Sequence, residues 1–343
     1  MKKAVVFLLA LAVSVTSVFS QEAETPQKQE AEAPKKNERN WQFLLGLKTG
    51  FLIGQAEEII WRDKHGNDKL SELLWGFKPI FYVGGDIGFT KNTKNRLPGT
   101  FFDISFKAAI PGITGKMQDQ DWTDDQNKNQ LTHYSVSENR TNMAYLFDLK
   151  SGCVFNKGIM SIKTFSVISG MFFEWSAYGG SMLYPNIDEH NNIITNAQTH
   201  FYISDKTEGI RYRQTWIGIG FGVSLYGEFN RFFNVEVSFA ATPLVFFKAK
   251  DEHLLRDLVI EDEGDLLNGG TQLDAAFALS VRPANIFAIS LEVAYRNIFN
   301  SQGRSKYTYH GKDMNIAKNY PITWYSGAGY EAFDISLMFK FII

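Results

Sequence analysis

Only one cysteine, Cys153, occurs in the 343 residues, so no internal disulfide can form. A lone thiol is tolerated in an oxidising compartment when it faces lipid. Beyond the N-terminus there is no long uncharged apolar run of the kind a membrane-spanning helix needs. Any membrane insertion therefore has to use strands, which pair their backbone groups with one another. Basic residues are not in excess, 35 against 37 acidic, and they form no stripe of the kind a phosphate backbone requires. No His/Cys set has zinc spacing, and no serine sits in a nucleophile-elbow context. No segment carries the ligand series, glycine turn and terminal glutamate of a calcium loop. Gly218-x-Gly220-x-Gly222 lies inside a strand-like run rather than at a strand-to-helix turn, which excludes a phosphate loop.

The first residues read as a secretory signal over 1–20. Lys2 and Lys3 form the positive region, Val5 to Val13 the short apolar core, and Ser17-Val18-Phe19-Ser20 the small-residue cleavage region. Cleavage after Ser20 leaves 33 of the 35 basic residues against 37 acidic ones. Residues 21–40 are rich in Gln, Glu, Ala, Pro and Lys and lack aromatics, which predicts a disordered leader. The remainder, 41–343, reads as one domain.

Within that domain the dominant signal is alternation with a period of two. Trp41, Phe43, Leu45, Leu47, Phe51 and Ile53 oppose Gln42, Gly46, Lys48, Gly50 and Gly54. Trp75, Phe77, Phe81, Val83, Ile87 and Phe89 oppose Gly76, Lys78, Tyr82, Gly84 and Asp86. Similar runs lie near 102–108, 145–149, 217–225, 273–281, 287–295 and 333–341, and less regular ones at 158–178 and 229–248. The total is ten strands, an even number that lets the first and last pair antiparallel. One face is almost wholly apolar and the other carries charges and glycines. This predicts an all-β fold, a ten-stranded antiparallel transmembrane β-barrel with lipid outside and a polar lumen. Short turns alternate with long polar stretches at 56–70, 112–141, 179–208, 250–268 and 298–328, which read as extracellular loops.

Two short pieces carry chemistry. Gln118-Asp119-Gln120-Asp121-Trp122 places two carboxylates at i and i+2, and Asp251-Glu252-His253 does the same for a carboxylate and an imidazole. On extended backbone that spacing puts each pair on one face. Alone, the first reads as a solvated turn or loose cation site. His65, His133, His190, His200 and His310 have no comparable partner and read as solvated.

These pieces, with Asp124, resemble the omptin family of outer-membrane endopeptidases. So do, in order, Glu58-Ile59-Ile60-Trp61, Ser71-Glu72-Leu73-Leu74-Trp75, Ala144-Tyr145-Leu146-Phe147-Asp148-Leu149, Gly179-Gly180-Ser181 and Tyr212-Arg213-Gln214. The resemblance implies a bacterial outer-membrane barrel with its active site facing outside, acting on protein or peptide substrates. It implies two catalytic pairs, Asp119 with Asp121 and Asp251 with His253. A histidine's ordinary pKa suits a general base near neutral pH, and an adjacent carboxylate orients the ring. A water between His253 and Asp119 would then attack the peptide carbonyl with no metal, no organic cofactor and no acyl-enzyme. Glu58 matches the family acid that receives a basic substrate side chain. Outer-membrane lipid is the other expected partner, nucleic acid is not one, and the chain is expected to be a monomer.

Three departures qualify these expectations. The second acid of the substrate pocket falls on Ala249, between Lys248 and Lys250, which predicts a weakened preference for cleaving beside Arg or Lys. The family's lipopolysaccharide-contacting side chains on the fifth strand are unmatched, with Gly170 and Phe172 in that stretch. Finally, if Asn234, Glu236 and Ser238 face inward, strict alternation turns Asp251 and His253 outward. A bulge near Pro243, or a strand end above the lipid, removes the conflict. A different class of function, a catalytically silent surface barrel acting as adhesin or binding protein, is the alternative. A diffusion porin fits least, since ten strands leave too narrow a lumen.

Overall fold

The structure, a computed structural model, describes residues 41–91, 98–124, 127–157, 159–183, 199–230, 232–255, 258–264, 270–309 and 324–343. The expected signal sequence (1–20) and leader (21–40) lie outside these residues, as do His190, His310 and the side chain of His200.

Period-two alternation becomes a closed sheet of twelve strand segments. These are β1 (Trp41–Trp61), β2 (Lys69–Lys91), β3 (Gly99–Ala109), β4 (Gly112–Asp121), β5 (His133–Lys157) and β6 (Met160–Leu183), followed by β7 (Thr199–Glu228), β8 (Phe233–His253), β9 (Leu258–Gly264), β10 (Gln272–Ala284), β11 (Phe287–Tyr309) and β12 (Trp324–Ile342). β3 and β4 both lie between β2 and β5, and β9 and β10 both lie between β8 and β11. The twelve segments thus make ten antiparallel staves. β12 closes the ring by pairing with β1 from Leu44↔Ile342 to Trp61↔Tyr325, so no open edge remains. Among the described residues no helix is long and apolar enough to cross a membrane; the crossing elements are strands.

In the lower half the apolar face points out. Leu47, Phe81, Val83, Ile87, Phe89, Phe221, Phe277, Leu291 and Phe333 are exposed on the outer surface, where lipid is their solvent. Cys153 belongs to this outward face, its inward neighbours on β5 being Asp148, Lys150, Gly152 and Val154. The lumen is lined by ion pairs. Lys48 bridges Asp86 (3.5 Å) and Glu292 (3.4 Å), Arg296 holds Asp148 (2.8 Å) and Asp274 (2.6 Å), and Asp334 takes Lys107 and the Tyr82 hydroxyl. Charges this deep are tolerable only when paired.

In the upper half the pattern inverts. Outward positions Gln55, Glu57, Glu72, Lys248, Lys250 and Glu252 are polar and meet water, while the interior is apolar. Trp75, Phe77, Phe173, Trp175 and Tyr212 are fully buried and stack in series, with Trp75–Tyr212 centroids 5.4 Å apart and Phe173–Trp175 centroids 4.8 Å apart. Offset stacking on this scale adds to the area buried. The slab floors the barrel mouth.

On β2 and β8 a bulge changes which residues face inward. Opposite Ile53, β2 inserts Lys78 and Pro79 between Phe77 and Ile80. Residues 75 and 77 therefore face inward, whereas 81, 83, 87 and 89 face outward. The single apolar face expected to run from Trp75 to Phe89 is in fact two faces. Opposite Gly220, β8 inserts Thr242 and Pro243 between Ala241 and Leu244. Proline, lacking an N–H, fits the unpaired position of a bulge. A Cβ on residue 220 would lie 2.3 Å from Ala241 O and 2.6 Å from Thr242 Cα, so only glycine fits there.

Most of the long polar stretches expected as loops are strand. β1 continues to Trp61, β8 to His253 and β11 to Tyr309, while β4 and β9 lie wholly within stretches expected to be loops. The ladders continue above the lipid belt, where water on the outer face permits polar side chains and hides the alternation.

Candidate active site

The Thr242–Pro243 bulge settles which way the end of β8 faces. Below it Glu236 and Ser238 look into the barrel; above it Val245, Phe247, Ala249 and Asp251 do, each 2% exposed or less. His253 follows on the same face. Its Nε2 lies 2.8 Å from Asp251 Oδ2, with the aspartate side chain fully buried and the imidazole 11% exposed. Asp251 sits across from Tyr212 on β7 and Ile260 on β9.

Asp119 arrives from the other side. It ends an inward row across three strands, Glu58 on β1 opposite Leu73 on β2, and Leu73 opposite Asp119 on β4. Asp119 is buried, and Asp121, two residues on, is half-buried at the strand end opposite His133. Asp119 and His253 line one cavity of about 60 Å³, together with Ser135, Ser137, Gly180 and Gly209. Gly179 and Gly180 have φ of 62° and 129°, backbone that other residues rarely adopt. A cavity this size has room for water, which needs about 10–15 Å³.

Behind the dyad lies a second carboxyl group cluster. Glu58 and Asp262 are each 1% exposed. Burial pushes Glu58 well above the usual carboxylate range, and the nearby carboxyl groups of Asp251, Asp262 and Asp119 add to the shift. Burial also raises Asp262, to about 6, against the opposing pull of the nearby Ser305 hydroxyl and Glu58 carboxyl group. Two adjacent buried carboxyl groups do not both ionise, so the pair holds a proton. Gln214, wholly buried, spans from β7 to Glu57 O (3.2 Å) and Gly329 O (3.4 Å), tying this level together. Among the described residues no group of three His, Cys, Asp or Glu side chains is placed to hold a metal ion.

The remaining singled-out residues lie elsewhere. His65 is exposed in the turn between β1 and β2, and His133 Nδ1 lies 3.1 Å from Thr132 Oγ1. Asp124 accepts the Asn127 N–H at 3.3 Å. Lys248 and Lys250 point out of the barrel, Lys250 pairing with Glu252 at 2.7 Å, so neither reaches the buried carboxyls. Sequence reasoning passed over Asp262, within the stretch read as a loop. Its signal is the short run Leu258-x-Ile260-x-Asp262, two apolar residues and an acid on one strand face.

A closed antiparallel barrel with an apolar belt is a bacterial outer-membrane protein, and this one holds carboxyl groups and a histidine inside its mouth. The chain belongs to the omptin family of outer-membrane proteases, whose pattern matches residues 40–343. It is 23% identical over 239 residues to the plasminogen activator of Yersinia pestis, covering 66% of this chain and 70% of that one. Its fold matches the outer membrane protease OmpT from Escherichia coli with a TM-score of 0.73, over 88% of this chain and 97% of that one, at 18% identity.

Proposed function

We propose that the protein is an endopeptidase that hydrolyses peptide bonds outside the cell with a water activated by Asp251 and His253 on one side and the Asp119–Asp121 pair on the other. The observation that carries this reading is the shared cavity, in which His253, already 2.8 Å from Asp251, faces Asp119 across space sufficient for water.

The chemistry follows from the geometry. The 2.8 Å approach of His253 Nε2 to Asp251 Oδ2 favours the tautomer with the proton on Nε2 and leaves Nδ1 with its lone pair as the base. The water gives its proton to Nδ1 and its oxygen attacks the substrate carbonyl. Asp251, fully buried and adjacent, stabilises the imidazolium that forms. Asp119 holds the water's other hydrogen, and Asp121 stands two residues on along the same face of β4. The imidazolium then protonates the leaving amine. Glu58 receives a basic side chain of the substrate. The strand ends Lys157 and Met160, Glu228 and Phe233, and Ala284 and Phe287 lie at the opposite end and face the periplasm, and the chain acts as a monomer.

Incubating the refolded barrel with a mixed peptide library and mapping products by mass spectrometry tests the proposal. Defined internal cleavages are expected. A library left intact would favour the silent surface barrel.

A further inference from the structure

Directly across from Ala249 on β8 stands Asp262 on β9. Both face inward, at 2% and 1% exposure. The position on β8 that offers only a methyl group is therefore faced by a carboxyl group from the neighbouring strand. That carboxyl group meets Glu58 inside the barrel.

The pair has no internal purpose that its surroundings explain. Neither Glu58 nor Asp262 forms an ion pair with any Lys or Arg among the described residues, and the oxygens of both carboxyl groups are buried without a close hydrogen-bond partner. Glu292, Asp148 and Asp274 in the lumen below show the opposite arrangement, each answered by a lysine or arginine. The groups facing the pair are Asp251 and His253 from β8, Asp119 from β4, Tyr212 and Gln214 from β7, Ser305 from β11 and Ser326 from β12. Three of these are further acids or a phenol, and none is a permanent cation. Burial without a counter-charge disfavours ionising such a pair, and a cation entering from outside would remove that penalty.

We infer that Asp262 is a specificity-determining residue, which together with Glu58 receives the cationic Arg or Lys side chain of the substrate and takes the place of the carboxylate missing at Ala249. This rests on the endopeptidase reading. A guanidinium bridging both carboxylates makes two charge-assisted contacts, and the pair gives up its shared proton as the cation enters. The pocket then prefers Arg and Lys despite Ala249, contrary to the weakened preference expected from sequence.

The test uses the refolded full barrel and two peptides, one a cleaved sequence containing arginine beside the scissile bond and one with neutral citrulline in its place. Wild type is expected to favour arginine in kcat/KM by on the order of 100-fold or more, about tenfold or more for each charged hydrogen bond. Asp262→Asn should lower that ratio by about 10–100-fold, the loss falling on the arginine peptide. Adding Ala249→Asp to the variant should restore much of it, and Asp262→Ser provides a second reading of the same ratio. A ratio near one in wild type, or one that neither variant changes, would overturn the inference while leaving the endopeptidase standing. Failure of wild type to cleave either peptide or the library would overturn the endopeptidase, and the inference with it.

Discussion

Gly220 on β7 and Thr242 on β8 touch so closely that a Cβ at position 220 would stand 2.6 Å from Thr242 Cα. This contact seats the bulge that turns Asp251 and His253 into the barrel. Gly220→Val should therefore destabilise the barrel by about 1–3 kcal/mol or more, the usual cost of overpacking. Denaturant unfolding followed by tryptophan fluorescence reads the change.

Deleting Pro243 makes a sharper test of the same bulge. With one residue opposite one, alternation runs unbroken from Glu236 through Thr242 and Leu244, so Asp251 and His253 still face inward. A folded deletion variant should therefore still cleave peptide at a rate near that of wild type. A loss of about 100-fold or more, the scale of losing a positioned base, would show that the bulge does more than set the face on which the dyad lies.

Stability should depend on pH in a direction opposite to that of a salt-bridged acid. Asp262 ionises near pH 4 in the unfolded chain and at about 6 in the native state, and burial raises Glu58 as well. Between these values the native state holds protons that the unfolded chain has released. Stability is therefore lost as pH rises from about 4 through 6, by on the order of 2–3 kcal/mol from Asp262 at about 1.4 kcal/mol per pKa unit. Asp262→Asn should flatten this slope and be the more stable protein at pH 8. Equal slopes for wild type and variant, measured by denaturant unfolding across that range, would count against an uncompensated buried carboxyl.

The aromatic slab makes a purely structural prediction. Trp75 is fully buried between Tyr212 (5.4 Å) and Trp175 (6.1 Å). Trp75→Ala should cost about 3–5 kcal/mol, the range for emptying a large aromatic site. The melting temperature of the refolded barrel measures it.

Much of this fold was legible in the chain because lipid and a charged lumen impose opposite demands on alternate residues. Runs such as 41–53 and 333–341 carry that contrast without interruption and map directly onto β1 and β12. Legibility fails where the outer solvent changes from lipid to water. There the apolar residues move inside, so Trp75 and Phe77 seem to continue the face of Phe81 and Val83 although two inserted residues separate them. The same change disguised β4 and β9 as loops. Asp119, Asp121, Asp251, His253 and Glu58 stood out through short motifs. Asp262 did not, because its meaning depends on lying across from Ala249 and against Glu58, relationships between strands that no local pattern records.

The central claim, that one water is held between His253 and Asp119, is tested most directly by the turnover of His253→Ala and Asp119→Asn on a peptide the wild type cleaves. Each variant should keep the heat-modifiable mobility of a folded barrel and lose about two to four orders of magnitude in kcat. A folded variant of either kind turning over at close to the wild-type rate would contradict it.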